Sequence, residues 1–190
     1  MASEADVLAQ IQASIDAKEG LKASARQILA VADVVTRSLR NGGKMIIFGN
    51  GGSAADAQHI AAELSGQFYN RKRPGAAALA ITTNTSALTA IANDFDFETV
   101  FSRQLEGLTR PGDVVIGIST SGNSPNVVKA METARKLGAV TVAMTGAGGK
   151  LAGMVDHALV VPSTETPRIQ ESHILMGHIL CQIVEKDLFG

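Results

Sequence analysis

The sequence predicts an α/β domain, a three-layer open sandwich with a five-stranded parallel sheet preceded by an N-terminal helix pair. Three observations carry that prediction. The short runs Lys44–Phe48, Ala77–Ile81, Asp113–Ser119, Ala139–Met144 and Ala158–Val161 are almost continuously apolar rather than alternating, as in strands buried on both faces. Helical segments separate most of them, which favours parallel pairing. Turns rich in glycine or serine follow the first, third and fourth runs, at the strand ends where an open α/β sheet binds its ligands.

From Ser3 to Asn41, Val7, Leu8, Ile11 and Ile15 and then Leu21, Ala25, Ile28, Leu29, Ala32, Val35 and Leu39 recur at helical spacing. Gly20 is expected to break this stretch into two helices. Their apolar stripe is wider than one α/β core needs, so it is expected either to meet another subunit or to pack on its own domain. Asn41-Gly42-Gly43 reads as a helix stop. Gly49 to Ser53 turns the first strand into a helix over Ala54–Ser65, and Ser86–Leu108 is helical with a break near Asp94. After the third strand, Ser124 is expected to be an N-cap and Pro125 the first residue of a helix reaching Leu137. Gly146 to Lys150 is a second glycine turn, and Glu165–Leu188 closes the chain as one long helix. The whole of 1–190 is read as one domain, with 1–41 as its helical extension.

Hydrophobic residues make up 45% and charged residues 18% of the 190, with a net charge of -1. That composition argues against disorder and against charge-driven binding to nucleic acid or to an anionic membrane. Cys181 is the single cysteine, which excludes an internal disulfide and any multi-cysteine zinc site and suits a reducing compartment. The N-terminus carries Glu4 and Asp6 and lacks a basic segment followed by an apolar one, so a cytoplasmic location is expected.

The loop Ser119-Thr120-Ser121-Gly122-Asn123-Ser124 offers four hydroxyls and a glycine between a buried strand and a helix start. Such a loop can fold around an anion. Asn50-Gly51-Gly52-Ser53 repeats the arrangement one unit earlier, without the lysine of a P-loop or the third glycine of a dinucleotide fingerprint. A small phosphorylated polyol fits two such loops better than a nucleotide.

His59 and Glu63, four residues apart, share a helix face and are close enough to serve one metal or one substrate. On the last helix Gln170 and His178 stand about 80° apart in projection. His173 points away from His178 and is expected at the surface or at an interface. Asp56 and Gln58, which flank His59, are expected to be structural, and Cys181 is expected to be a buried helical thiol.

Gly49-Asn50-Gly51-Gly52-Ser53 and Ile118 to Ser124, each after an apolar strand, resemble the sugar isomerase (SIS) domain family. Asp56 to Gly66, Ala92-Asn93-Asp94-Phe95 and Arg168-Ile169-Gln170-Glu171-Ser172-His173 are similar to its phosphoheptose isomerase branch, and the likeness runs over nearly the whole chain. The resemblance implies isomerisation of sedoheptulose 7-phosphate to an aldoheptose 7-phosphate through an enediol. It implies one Zn2+ per subunit held by His59, Glu63, Gln170 and His178, with Glu63 as base and His178 as acid.

It also implies that Asn50, Gly51, Gly52, Ser53 and Gln170 contact the substrate together with Glu63, that Ser119, Thr120, Ser121 and Ser124 bind its phosphate, and that Asn93 and Asp94 bind its hydroxyls. A homotetramer is implied as well. Gln67 and Pro167 depart from the family pattern, where arginine and an acidic residue occur, and Arg71 and Arg73 are available to compensate. The alternative is a non-catalytic family member that binds the replication initiator; it has no use for a metal-ligand set.

Overall fold

The computed structural model describes residues 1–190. Its first helix, α1 (Glu4–Gly20), is opened by a reciprocal cap: the Ser3 hydroxyl accepts the Asp6 N–H, and the Asp6 carboxylate accepts the Ser3 N–H at 2.7 Å. A 3-10 turn (Leu21–Ser24) leads into α2 (Ala25–Arg40). The expected break at Gly20 therefore falls in the turn that follows it. Gly20 itself keeps right-handed helical angles, φ -59° and ψ -28°; it is needed because a Cβ there would lie 2.6 Å from Pro162 Cγ. Gly42, at φ 78°, makes the left-handed stop after α2.

The strands are β1 (Met45–Gly49), β2 (Ala78–Ala80), β3 (Val114–Ser119), β4 (Val140–Thr145) and β5 (His157–Val160). They form one parallel sheet in the order β2-β1-β3-β4-β5. Set against the sequence expectation, β1, β4 and β5 are displaced by one residue and β2 shrinks to a three-residue edge on which Leu79 is exposed. Consecutive apolar residues divide between the two faces. Met45, Ile47, Ile116, Ile118 and Met144 pack under α2, α3 (Gly52–Ser65) and α7 (Thr166–Phe189). Ile46, Phe48, Val115 and Ala143 pack under α5 (Ser102–Leu108) and α6 (Pro125–Lys136). This division of continuously apolar strands makes the three layers.

Between β2 and α5 lie α4 (Thr85–Asp94) and a 3-10 turn, Phe97–Thr99, so the expected break near Asp94 is where the sequence puts it. α4 buries no residue, and α1 buries only Ala17. The chain leaves β1 towards β2 on one side and leaves β3 towards β4 on the other. That reversal opens a crevice beyond the carboxyl ends of β1 and β3.

Candidate active site

One wall of the crevice is the loop after β3. Ser119 is buried at the strand end and its hydroxyl lies 2.9 Å from Ser124 Oγ and 3.5 Å from Ser121 Oγ, while Ser121 Oγ accepts the Asn123 N–H at 3.2 Å. Gly122 turns the chain at φ 65°, and a Cβ there would lie 2.5 Å from Gly148 O. The glycine turn after β4 therefore closes down on the serine loop, and the Leu151 N–H donates to Gly122 O at 3.0 Å. Ser124 occupies the expected N-cap of α6 with Pro125 first, yet its hydroxyl makes no cap hydrogen bond. Asn126 caps instead, its Oδ1 accepting the Val127 N–H at 2.9 Å. The Ser119, Ser121 and Ser124 hydroxyls thus face one another in a cluster suited to an anion at a helix start.

The opposite wall is the turn after β1. Gly51 takes φ 54°, open to glycine at little cost, which lets α3 begin at Gly52 rather than at the expected Ala54. Asn50 and Asn126 exchange two amide hydrogen bonds of 2.9 Å each across the crevice. Beside them is a cavity of about 200 Å³ lined by Asn50, Phe97, Glu98, Ser124, Pro125 and Asn126. Glu98 and Asn126 were not singled out from the sequence. The available signal for Asn126 was a polar residue one position after the helix-starting proline. Asn93 and Asp94 sit exposed at the end of α4, bonded to each other at 2.8 Å; the residues a few positions on, Phe97 and Glu98, reach the crevice instead.

The groups that can move protons lie on the seam between α3 and α7. These helices run side by side in the same direction. A Cβ on Gly52 would collide with the Gln170 amide, and a Cβ on Gly177 would lie 2.5 Å from Ile60 Cδ1. Further along, Cys181 Sγ approaches Ile60 O at 3.7 Å. Gly177 lets the helices close at the point where His178 must reach across. His178 Nε2 lies 2.9 Å from His59 Nε2, and Glu63 Oε1 lies 3.2 Å from the same His59 atom. One ligand atom from each of the three falls within 4.8 Å of the others. Gln170 stands at the Gly52 end of the seam. The Phe68 ring leans on His178 at 5.8 Å between centroids.

Two imidazoles and a carboxylate form a donor set suited to Zn2+. In a tetrahedral site with bonds of about 2.0–2.1 Å, neighbouring ligand atoms stand about 3.3 Å apart; His59 lies 2.9 Å from His178 and 3.2 Å from Glu63 and all three stay within 4.8 Å, so the residues fit such an ion. Burial, then the nearby Glu63 charge, pushes the Cys181 thiol up to about 12, so this neighbour stays neutral. Burial pushes the Asp56 carboxyl up while the nearby His59 pulls it back; its Oδ2 is buried without a partner. Gln58 bonds to Thr82 at 3.3 Å, in keeping with a structural role.

Two expectations are overturned. His173 is fully buried rather than at a surface, and burial lowers its imidazole to about 4. Its position on α7 faces the sheet beneath the seam. Arg73 cannot replace a missing phosphate contact, because its guanidinium is buried against Glu185 at 2.5 Å; Arg71 remains exposed.

The pattern of the SIS domain family matches residues 8–146. The chain is 56% identical over 163 residues to the phosphoheptose isomerase of Aquifex aeolicus, covering 85% of each chain. It is 50% identical over 187 residues to that of Aneurinibacillus thermoaerophilus, covering 96% of this chain and 94% of the relative. Among solved structures, the phosphoheptose isomerase of Neisseria gonorrhoeae superposes with a TM-score of 0.89 at 45% identity, covering 95% of this chain and 97% of that one. The one from Francisella tularensis superposes at 0.94 and 34%, covering 98% and 100%.

Proposed function

The chain belongs to the SIS domain family, in its phosphoheptose isomerase branch, and from that premise we propose that it converts sedoheptulose 7-phosphate to D-glycero-D-manno-heptose 7-phosphate through an enediol. Membership makes it a phosphosugar isomerase of heptose biosynthesis. The single observation that carries the finer reading is the convergence of His59, Glu63 and His178 on one seam. A non-catalytic binding protein has no need of that cluster.

In the proposed reaction Ser119, Thr120, Ser121 and Ser124 hold the phosphate, while Asn50, Gly51, Gly52, Ser53 and Gln170 hold the sugar backbone. Asn93 and Asp94, the other expected hydroxyl contacts, are proposed to act from the exposed end of α4. Glu63 takes the proton from C1 of the ketose, and the electron pair moves into a C1–C2 double bond as the C2 oxygen accepts a proton from His178, whose Nδ1 is the ring nitrogen left to carry it because Nε2 faces the proposed ligand cluster. Loss of the O1 proton and delivery of a proton to C2 complete the aldose. Such proton transfers contribute roughly 10²–10⁴-fold each.

Glu63 has two oxygens. Oε1 faces His59, so Oε2 is the one we assign to the proton, and the residue serves as ligand and base together. His59, Glu63, His178 and Gln170 are the proposed zinc ligands, one ion per subunit. When bound, zinc supplies Lewis-acid polarisation of the substrate oxygens.

The product is proposed to feed ADP- or GDP-heptose for lipopolysaccharide or capsule, in the cytoplasm; no helix is long and apolar enough to cross a membrane. Exposed Val7, Leu8, Ile11 and Ile15 on α1, with a neighbouring groove of about 440 Å³ lined by residues that include Leu29 and Ile179, support self-association. The assembly proposed is a homotetramer, which light scattering tests. The reaction is tested by incubating the metal-loaded protein with sedoheptulose 7-phosphate in D₂O. Aldoheptose phosphate carrying deuterium at C2 is expected, and its absence would overturn the assignment.

A further inference from the structure

The His59–Glu63–His178 cluster draws its groups from two helices, so its geometry depends on how far apart α3 and α7 are held. At the end of the seam beyond His178 sits a buried ion pair. The side chains of Arg73 and Glu185 are 1% and 6% exposed, and Arg73 Nε donates to Glu185 Oε2 at 2.5 Å. Each partner also collects backbone. Arg73 Nη2 donates to Glu63 O at 2.7 Å, and Nη1 donates to Leu64 O at 2.8 Å and Pro74 O at 3.0 Å. Glu63 and Leu64 lie in the last turn of α3, whose carbonyls have no partner within the helix.

Glu185 accepts the N–H groups of Phe68 at 3.1 Å, Tyr69 at 2.8 Å and Asn70 at 3.0 Å. This gathers the turn that sets the Phe68 ring against His178. Glu185 follows His178 by seven residues, two helical turns, and so shares its face of α7.

Stability alone does not account for this arrangement. Desolvating two charges is costly, and well-packed apolar residues of similar volume are often as stabilising as a buried pair. What an apolar pair cannot do is grip particular carbonyls and amides at fixed distances. One end of this pair holds the peptide of Glu63, and the other holds the turn behind His178.

We propose that Arg73 and Glu185 are positioning residues that fix the spacing of α3 and α7 at which His59, Glu63 and His178 share one divalent cation. The inference rests on the proposed function for what the cluster does, and on the contacts above for how the cluster is held.

The test is a titration of metal-free protein with Co2+, followed by the visible absorption of the bound ion. Arg73→Lys and Glu185→Gln are each expected to bind Co2+ about ten- to a hundredfold more weakly than the unmodified chain, the usual effect of losing a partner outside the ligand shell. The paired variant Arg73→Met with Glu185→Leu leaves no unpaired buried charge and guards against simple unfolding. It is expected to remain folded by circular dichroism, to show the same weakening, and to lose kcat but not KM, with excess metal restoring turnover.

If the folded paired variant binds Co2+ within twofold of the unmodified chain, the pair is merely structural and the proposal is overturned. If the unmodified chain itself binds no Co2+, the metal assignment under the proposed function falls first and this inference falls with it.

Discussion

The loop after β3 forms one wall of the crevice, the seam between α3 and α7 starts from the other wall at Gly52 and Gln170, and the two are made of different materials. The loop is six consecutive residues whose hydroxyls face one another and whose shape comes from one left-handed glycine and its contact with the turn after β4. None of its side chains titrates near neutrality. The seam joins His59 to His178 across 119 residues of sequence. It relies on a close helix approach at Gly177 and on a buried ion pair at its far end. Holding a phosphate is a task that local chain geometry can complete. Setting a base against an acid needs tertiary packing, and the seam inherits the sensitivities of packed and charged interiors.

The sharpest way to break this contrast is to move each wall separately. Glu63→Gln keeps the size of the side chain and removes the proposed base and one proposed zinc ligand together, so kcat is expected to fall by about 10²-fold or more, read by steady-state kinetics on metal-saturated protein and by loss of deuterium exchange at C2. Near-normal turnover would move the base elsewhere.

Acid should weaken the fold through the groups buried along α7. Burial holds His173 at about 4 in the folded chain, below its ordinary 6.5. As pH falls, the unfolded chain therefore takes up the proton first, and stability is lost between about 6.5 and 4, by up to about 3 kcal/mol. Burial raises the Glu185 carboxyl, but hydrogen bonds from Arg73 and three backbone amides outweigh it and hold the group at about 2. Its stabilising contribution is thus complete above the ordinary carboxylate range and fades only as pH falls towards 2. Urea midpoints at pH 7 and pH 4.5 should differ, and His173→Gln should flatten that slope whatever its own baseline.

On the other wall, Ser124→Ala removes one of the hydroxyls proposed to hold the phosphate, an expected loss of about 1.5–3 kcal/mol. KM should rise roughly ten- to a hundredfold with kcat nearly kept; an equal fall in kcat would mean that the loop takes part in the chemistry. The smallest expected effect is that of Gly177→Ala, where the new methyl meets Ile60 and overpacking costs about 1–3 kcal/mol in a thermal or urea melt.

Legibility followed the same division. The serine loop could be read because its hydroxyls are adjacent in sequence, and the strands because they are apolar on both faces. The seam could be read only as separate fragments, an i,i+4 pair on one helix and two polar residues on another; the resemblance to a family joined them, and spacing did not. The sequence leaves Arg73 available to compensate for a missing contact and puts His173 at a surface or an interface. Both are buried by partners more than twenty residues away, Glu185 for the one and the sheet face near Thr145 for the other. β2 was read too long because apolar composition does not reveal that the strand lies at an edge. Gly20 does close α1, but by making room for Pro162 and not by taking a left-handed conformation, a distinction that the sequence does not carry.

The reciprocal amides of Asn50 and Asn126 join the two walls by a link that carries no charge and gains or loses no proton. Each amide supplies one donor and one acceptor to the other, so the link is insensitive to ionic strength and to acid. The width of the crevice mouth is thereby decoupled from the solution conditions that disturb the seam behind it. Substrate entry and proton transfer should then fail independently, which makes the mouth a fixed gauge against which distortion of the chemistry can be measured.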